Sequence, residues 1–161
     1  MDRQTSQLNE GLKAYCDAYE NMTPQTYVPL LTEVIDSQIH FKDPFNDVNG
    51  ADQMLAIFEH MFQTLHQPVF KVVANALVND VGYIEWRFTF AMTASDLRNK
   101  ELTHIHGMSR VILNMEGKII EHVDFWDSGE VVFRNLPLLG RLNNWVASKL
   151  SAPNTKSTRL G

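Results

Sequence analysis

The sequence is nearly free of cysteine and contains no long hydrophobic run. Cys16 is the one cysteine in 161 residues, which excludes an internal disulfide framework and any metal site built from several cysteines. No apolar stretch reaches the roughly 18 residues of a membrane-spanning helix. The opening residues, MDRQTSQLNEG, have no apolar core of the kind found in signal peptides. We therefore expect a cytoplasmic protein that does not bind membranes.

Positive charge is also scarce. Lys and Arg number 14 against 19 Asp and Glu, which gives a net charge of −5, and the sequence has no basic run. Such a chain is a poor candidate for binding nucleic acid. Walker loops, GxGxxG motifs and GxSxG motifs are absent too, so nucleotide binding and serine-hydrolase chemistry have no motif support. The hydrophobic content of 44% is typical of a globular domain with a sizeable core.

Apolar residues recur at helical spacing in the first half of the chain and alternate in the second half. The predicted order is three helices with a short strand after the second, then four longer strands, then one helix. The strands are predicted at 39–42, 70–78, 82–93, 102–115 and 118–127, and the closing helix at 136–150. This order indicates an α+β fold in which a strongly curved antiparallel sheet wraps around the N-terminal helices, forms a cone and encloses a pocket. We expect a single domain over 1–150, with a polar loop at 95–101 and a disordered tail over 151–161.

Three stretches of the sequence carry a resemblance to a known family. They are HFKDPFNDVNGADQMLAIFEHMF at 40–62, GMSRVILNMEGKIIEHVDFWD at 107–127, and the first helix with Tyr15. Together they resemble the SnoaL-like and ketosteroid-isomerase-like branch of the nuclear transport factor 2 superfamily, over about residues 8–127. The closing segment with its LPLLG motif resembles the C-terminus of a small bacterial SnoaL-like subfamily.

The resemblance implies the curved-sheet fold, a homodimer formed through the sheet, a small apolar ligand and no cofactor. It does not imply one activity, because the superfamily includes isomerases, cyclases, dehydratases, hydrolases and plain binders.

The resemblance also implies roles for single residues. Asp43, in KDPF, matches the general base of the isomerase, and Tyr15 matches its oxyanion-hole tyrosine. Trp86 and Trp126 match aromatic residues that line the steroid cavity. Ser109 stands where the isomerase has an aspartic acid that an apolar site keeps protonated. Because serine is a weaker donor, this difference argues against steroid isomerisation.

Asp43 has two interpretations from the residues alone. As a base it would lie at the mouth of an apolar pocket, within hydrogen-bond reach of the proton that it removes. As a structural residue it would cap the turn before Pro44. The sequence pattern leaves both interpretations open.

His122, Asp124 and Trp126 alternate in EHVDFWD and therefore share one face of a strand. The match of Trp126 makes this face the inner one. Two ionisable groups inside an aromatic pocket are costly unless they are paired or used. His122 could pair with Asp124 or with Asp43, which would give a base near neutral pH or an activated water. The alternative is a satisfied structural pair inside a filled cavity.

The remaining candidates are aromatic residues and histidines. Tyr15 and Tyr19 lie one helical turn apart, and either hydroxyl could hold a carbonyl oxygen or belong to an ordinary core tyrosine. The residues predicted to contact a ligand are Tyr19, Phe45, Trp86, Phe88, Ser109 and Trp126. His104 and His106 share the opposite, outer face of the sheet. Their spacing offers no third metal ligand, so no metal site is expected.

These patterns favour a small-molecule pocket protein. One hypothesis is an isomerase, cyclase or dehydratase without a cofactor, acting on a small apolar carbonyl compound. In that hypothesis Asp43, His122 and Asp124 carry protons and Tyr15 is the oxyanion donor. A second hypothesis is a non-catalytic module that binds a ligand. A third is a hydrolase in which His122 and Asp124 activate water.

Overall fold

The structure is a computed structural model, and it describes residues 3–128. In chain order its elements are α1 (Arg3–Asn21), α2 (Tyr27–Val34), β1 (Ile35–Lys42), β2 (Asp47–Asn49), α3 (Ala51–Thr64), β3 (His66–Val78), β4 (Val81–Ala91), α4 (Ala94–Asn99), β5 (Thr103–Leu113) and β6 (Ile119–Trp126). The helix predicted at 136–150 and the tail predicted over 151–161 lie outside the described residues. The predicted domain bounds therefore stay a prediction.

The described strands form one six-stranded sheet in the order β2-β1-β6-β5-β4-β3. Strands β3 to β6 follow one another as an antiparallel meander, as the alternating patterns predicted. Strand β1 adds to the other edge of β6 and runs parallel to it, so the sheet is mixed. The α+β fold is confirmed. The parallel pair joins strands that are far apart in the chain, and such pairing depends on tertiary contacts that local patterns do not contain.

Helix α1 lies inside the curve of the sheet. It contacts β3, β5 and β6, and since two strands separate β3 from β6, the sheet must bend around the helix. The buried side chains of α1 include Leu8, Leu12, Tyr15 and Cys16. The expectation that the sheet wraps around the N-terminal part of the chain is confirmed.

Alternation along the strands separates an inner from an outer face of the sheet. The buried inner residues of β4 and β5 are Ile84, Trp86, Phe88, Phe90, Ile105, Ser109, Val111 and Leu113. On β6, His122 and Asp124 lie opposite Val111 and Ser109, and Trp126 lies opposite Gly107. The structure thus places the His122, Asp124 and Trp126 side chains on the inner face, where their alternation predicted them.

The segment predicted as a polar loop at 95–101 contains most of a short helix, α4. The Thr93 side chain accepts a hydrogen bond from the Asp96 amide, and the Asp96 side chain accepts one from the Thr93 amide. This reciprocal capping box begins the helix, and Lys100 in the left-handed conformation, with a φ of 60°, ends it. The loop prediction is wrong because polarity alone does not distinguish a loop from an exposed, capped helix.

Gly11 and Gly117 determine how closely α1 approaches the turn between β5 and β6. A Cβ on Gly11 would lie 2.2 Å from the carbonyl oxygen of Gly117 and 2.8 Å from its Cα. Both are backbone atoms, so no side-chain rotation could relieve the clash. Gly117 has a φ of +79°, which itself favours glycine. This contact fixes how far α1 enters the curve of the sheet. It thereby also positions Tyr15, which lies about one helical turn further along the helix.

We expect Gly11→Ala to lower the free energy of unfolding by about 1–3 kcal/mol, the usual cost of overpacking, although alanine is the better helix former by about 1 kcal/mol. Urea unfolding followed by circular dichroism measures the change. Glu10→Ala, at an exposed neighbouring position of the same helix, is the control and should change stability by less than about 0.5 kcal/mol. Unchanged or higher stability in Gly11→Ala would contradict the close approach of α1 to the turn.

Candidate functional site

His122 lies at the centre of a buried hydrogen-bond network. Its side chain is 1% exposed. Its Nε2 atom lies 2.7 Å from Asp124 Oδ1, and its Nδ1 atom lies 2.8 Å from the Tyr15 hydroxyl. Of the two partners that the sequence left open, Asp43 and Asp124, the structure brings Asp124 to the histidine. Both ring nitrogens of His122 are therefore occupied by contacts within the protein.

Asp124 is held by two donors on one oxygen. The Ser109 hydroxyl donates to Oδ1 at 2.5 Å, and the His122 ring contacts the same atom. The Trp86 indole donates to Ser109 Oγ at 2.7 Å, which directs the serine proton towards the carboxylate. Among the residues that the structure describes, no donor contacts Oδ2 of Asp124, and the side chain is 16% exposed. Within residues 3–128 one carboxylate oxygen is thus fixed by two contacts, and the other has none.

Two tyrosines extend the network into the interior. The Tyr15 hydroxyl is positioned to donate to the Tyr19 hydroxyl at 3.2 Å. Burial raises the pKa of both phenols well above its ordinary value, and the charge of Asp124 raises it further. Both hydroxyls therefore keep their protons at neutral pH. Burial also raises the pKa of the Cys16 thiol to about 11, with nearby carboxylates adding to the effect, so this thiol is unreactive.

Aromatic rings surround the network. The His122 ring stacks between Phe41, with centroids 4.9 Å apart, and Tyr19, with centroids 5.8 Å apart. Phe70 stacks on Phe88 at 4.2 Å. Between these rings and the network the described residues enclose a cavity of about 10 Å³, which is about the size of one water molecule. The cavity is lined by Tyr15, Cys16, Tyr19, Phe70, Val72, Ile84, Trp86, Ser109 and His122.

Gly107 provides the space that the Trp86 indole occupies. The two residues face each other across β4 and β5, and a Cβ on Gly107 would lie 2.4 Å from the indole ring. The indole therefore covers the glycine and holds its N–H against Ser109. Sequence reasoning missed Gly107 and the rings of Phe41 and Phe70. A glycine on the inner face of a long strand is the signal that could have found Gly107.

Asp43 lies outside the His122 network. Its carboxylate accepts hydrogen bonds from the backbone N–H groups of Phe45 and Asn46, both at 2.7 Å, and from the Asn46 side chain. This is the geometry of a turn cap. The Asp43 charge adds to the effect of burial in raising the pKa of Tyr19. Phe45 contacts Trp126, with ring centroids 5.5 Å apart. A role for Asp43 as a base stays a prediction.

His104 and His106 lie on the outer face of the sheet. His106 Nε2 lies 2.8 Å from Glu85 Oε1, and His104 Nδ1 lies 3.1 Å from the Thr89 hydroxyl. Within residues 3–128 no group of three His, Cys, Asp or Glu side chains is arranged to hold a metal ion.

In the part of the chain that the structure describes, no helix combines the length and apolar character needed to cross a membrane.

The chain is similar to one protein family and to several solved structures. The SnoaL-like domain family matches residues 12–122, whereas no curated protein sequence matches the chain. A candidate SnoaL-like polyketide cyclase from Jannaschia sp. CCS1 has a TM-score of 0.64 and 14% identity, covering 95% of this chain and 98% of that one. A candidate isomerase of the SnoaL-like family from Agrobacterium tumefaciens C58 has a TM-score of 0.58 and 18% identity, covering 76% and 99%. An LEH-like epoxide hydrolase from M. tuberculosis has a TM-score of 0.61 and 11% identity, covering 91% and 98%. At these identities the solved structures are similar in fold.

Proposed function

This chain belongs to the SnoaL-like domain family, and from that membership and the geometry of the site we propose that it binds a small apolar carbonyl compound and moves a proton on it without a cofactor. The observation that carries the proposal is the Asp124 carboxylate. Ser109 and His122 hold one of its oxygens, and the other contacts no donor of residues 3–128. Isomerisation, cyclisation and dehydration beside a carbonyl can each begin with removal of a proton from the neighbouring carbon, which requires a base in this position.

In the proposed reaction Asp124 Oδ2 accepts the proton while negative charge develops on the carbonyl oxygen. Tyr15 donates its hydrogen to the Tyr19 hydroxyl, so Tyr19 is the phenol whose hydrogen would reach the carbonyl oxygen, with Tyr15 supporting it. A donor fixed in advance at a developing oxyanion stabilises the transition state, and exclusion of water strengthens that interaction. Return of the proton to a different carbon completes an isomerisation, whereas loss of a hydroxyl group from the next carbon as water completes a dehydration.

The size of the cavity restricts how such a ligand binds. A space of about 10 Å³ accepts one oxygen atom of a ligand, and a ring would enter only if the lining rings moved. We propose that the carbonyl oxygen occupies this space and that the rest of the ligand lies towards the contacting rings of Phe45 and Trp126. The proposed ligand contacts remain Tyr19, Phe45, Trp86, Phe88, Ser109 and Trp126.

Hydrogen–deuterium exchange at carbon tests the proposal even though the natural substrate is not known. A panel of cyclic ketones and lactones is incubated with the protein in D₂O, and loss of the proton beside the carbonyl is followed by NMR. We expect exchange well above the rate in buffer alone for at least one ketone. If ketones shift the resonances of residues in the site but no exchange or turnover follows, the protein is a binding module and the catalytic proposal fails.

A second candidate is a hydrolase, in which Asp124, paired with His122, activates a water at Oδ2, the oxygen that contacts no donor of residues 3–128. An activated water is the nucleophile that epoxide or lactone hydrolysis needs. Incubation with cyclohexene oxide in ¹⁸O-water tests this alternative. A labelled diol formed faster than in buffer would support hydrolysis, and no diol above background would count against hydrolysis of small cyclic epoxides.

A cytoplasmic location stays a prediction. We further propose that two copies of the chain form a homodimer through the outer face of the sheet. Met108 and Phe125 face each other across β5 and β6 and are 47% and 57% exposed, and Tyr83 is a further exposed ring on the neighbouring strand. Beside them Arg110 is paired with Glu121, so the apolar side chains lie next to charges that are already neutralised. A face of this kind suits a standard interface of roughly 800 Å² per partner.

Light scattering at micromolar concentration should give the mass of a dimer for the wild type and of a monomer for Phe125→Glu, because a two-fold interface brings two copies of each substituted residue together. Met115→Glu is the control, since Met115 is 73% exposed in the turn between β5 and β6. A monomeric wild type, or a Phe125→Glu variant that stays dimeric, would overturn this interface.

A further inference from the structure

A row of three hydrogen-bonding side chains crosses the inner face of the sheet, one from each of three neighbouring strands. The Trp86 indole of β4 donates to Ser109 Oγ of β5 at 2.7 Å, and the Ser109 hydroxyl donates to Asp124 Oδ1 of β6 at 2.5 Å. Ser109 and Asp124 lie directly opposite each other, whereas Trp86 lies opposite Gly107, two residues before the serine. The indole therefore reaches Ser109 diagonally and links β4 to the candidate base on β6.

The packing around Trp86 leaves the indole little freedom. A Cβ on Gly107 would lie 2.4 Å from the ring, so the ring lies against the β5 backbone at a position that glycine leaves open. Phe70 of β3 contacts the same ring edge-on, with centroids 5.9 Å apart. Trp86 is 6% exposed. Contacts from two neighbouring strands thus hold its N–H group in place.

The chemistry of the three groups fixes the direction of each hydrogen bond in the row. An indole nitrogen can only donate and an ionised carboxylate can only accept, so the single hydrogen of the Ser109 hydroxyl goes to Asp124. A serine side chain has three staggered χ1 positions. The bond from the Trp86 indole favours the position in which the serine hydrogen reaches Oδ1.

The orientation of the Asp124 carboxylate depends on such contacts, because rotation about the Cβ–Cγ bond of an aspartate has only broad energy minima. His122 Nε2 and Ser109 Oγ approach the same oxygen, Oδ1, at 2.7 and 2.5 Å. Since β6 fixes the Asp124 backbone, the position of Oδ1 also determines where Oδ2 lies. Without the serine bond, His122 would be the one residue of 3–128 whose side chain still holds the carboxylate.

We propose that Trp86 is a positioning residue for the Asp124 base, because its N–H holds the Ser109 hydroxyl on Oδ1 and thereby aims Oδ2 at the carbon that gives up its proton. This role goes beyond the ligand contact predicted for Trp86 from the sequence. A misplacement of about 1 Å at a reacting atom can cost about 100-fold in rate, so the aim of Oδ2 matters. The proposal rests on the proposed function for the reaction, whereas the coupling of Trp86 to Asp124 is a property of the ligand-free protein.

Replacement of Trp86 by 3-benzothienylalanine tests the N–H alone, because this unnatural amino acid keeps the bicyclic shape and carries sulfur in place of the N–H. Deuterium exchange beside the ketone carbonyl should slow by about 10- to 100-fold at saturating ketone, with the dissociation constant nearly unchanged. A mere ligand contact would instead raise the dissociation constant. Trp86→Phe should slow exchange at least as much. If only Trp86→Phe is slow, ring packing explains the loss and the proposal is wrong.

Ser109→Ala shows whether Trp86 acts through the serine. In this background, replacement of Trp86 by 3-benzothienylalanine should slow exchange no further, because the link between the indole and the carboxylate is already missing. Two losses that multiply would mean that Trp86 acts on the ligand directly or through packing, and would overturn the proposal.

NMR of the ligand-free, full-length protein measures the same coupling without the reaction. The side-chain ¹³Cγ signal of Asp124, assigned from Asp124→Asn, should move when 3-benzothienylalanine replaces Trp86. It should also move in Ser109→Ala, and the combination should move it no further. The ¹³Cγ signal of Asp43, whose hydrogen bonds come from its own turn, is the internal control and should stay in place.

An Asp124 signal that ignores the replacement of Trp86 would overturn the inference, whether or not Ser109→Ala folds. A coupled Asp124 signal in a protein that catalyses no exchange would count against the proposed function alone. Normal exchange with an unmoved Asp124 signal would count against this inference alone.

Discussion

Asp124→Asn should slow deuterium exchange beside a ketone carbonyl by about 100- to 10,000-fold, the range that a general base contributes. Asparagine keeps an oxygen where Oδ1 accepts from Ser109 and His122. It replaces Oδ2 by an amide nitrogen, which cannot accept a proton from carbon. The network stays paired, so the protein should fold, and the dissociation constant for the same ketone should remain nearly unchanged. The measurement is the exchange rate at saturating ketone together with that dissociation constant.

Asp43→Asn is the matched control, because it makes the same chemical change at the other candidate base. An asparagine at this position can still accept from the backbone N–H groups of Phe45 and Asn46, so the turn should survive. We expect nearly wild-type exchange. If Asp43→Asn instead abolishes exchange while Asp124→Asn retains it, Asp43 is the base and the assignment to Asp124 is wrong. Full exchange in both variants would exclude either carboxylate as the base.

The faces of the sheet could be predicted from the sequence, whereas the contacts inside it could not. Alternation of period two assigns Trp86, Ser109 and His122 to one face, and all three are buried there. The hydrogen bond between Tyr15 and His122 joins positions 107 residues apart. It depends on how deeply α1 enters the curve of the sheet, which the backbone contact of Gly11 sets. No local pattern contains that distance.

The size of the pocket could not be predicted from the sequence either. Large inner aromatic residues predicted a lined cavity, yet Phe70 and Phe88 stack on each other and the cavity that the described residues enclose beside them is about 10 Å³. Interiors pack to nearly crystalline density, and whether inner aromatic rings line a cavity or fill it depends on tertiary contacts that local patterns do not contain. The sequence also left the role of Asp43 open. A turn cap and a base at a pocket mouth use the same residue type before proline, and the hydrogen bonds from Asn46 are what distinguish its geometry.

His122→Phe should lower the free energy of unfolding by about 2–4 kcal/mol, the cost of leaving buried polar partners unpaired. Phenylalanine fills the ring-shaped space between Phe41 and Tyr19, so little packing is lost. The change removes the Nδ1 atom that contacts the Tyr15 hydroxyl and one of the two donors to Asp124 Oδ1. Urea unfolding at neutral pH measures the effect, with circular dichroism to establish that the variant keeps its secondary structure.

A double-mutant cycle identifies the cause of that loss. If the unpaired Tyr15 hydroxyl contributes to it, adding Tyr15→Phe to His122→Phe should cost less than the sum of the single changes, with a coupling energy in the range of about 0.5–3 kcal/mol for contacting residues. His106→Phe is the control on the outer face, where the histidine is exposed, and should change stability by less than about 0.5 kcal/mol. Strict additivity in the cycle, or a His122→Phe variant as stable as the wild type, would mean that the hydrogen bond between Tyr15 and His122 does not hold α1 to the sheet. Coupling together with a stable His106→Phe variant would show that the polar network, and not the aromatic stacking alone, fixes the helix that carries both tyrosines.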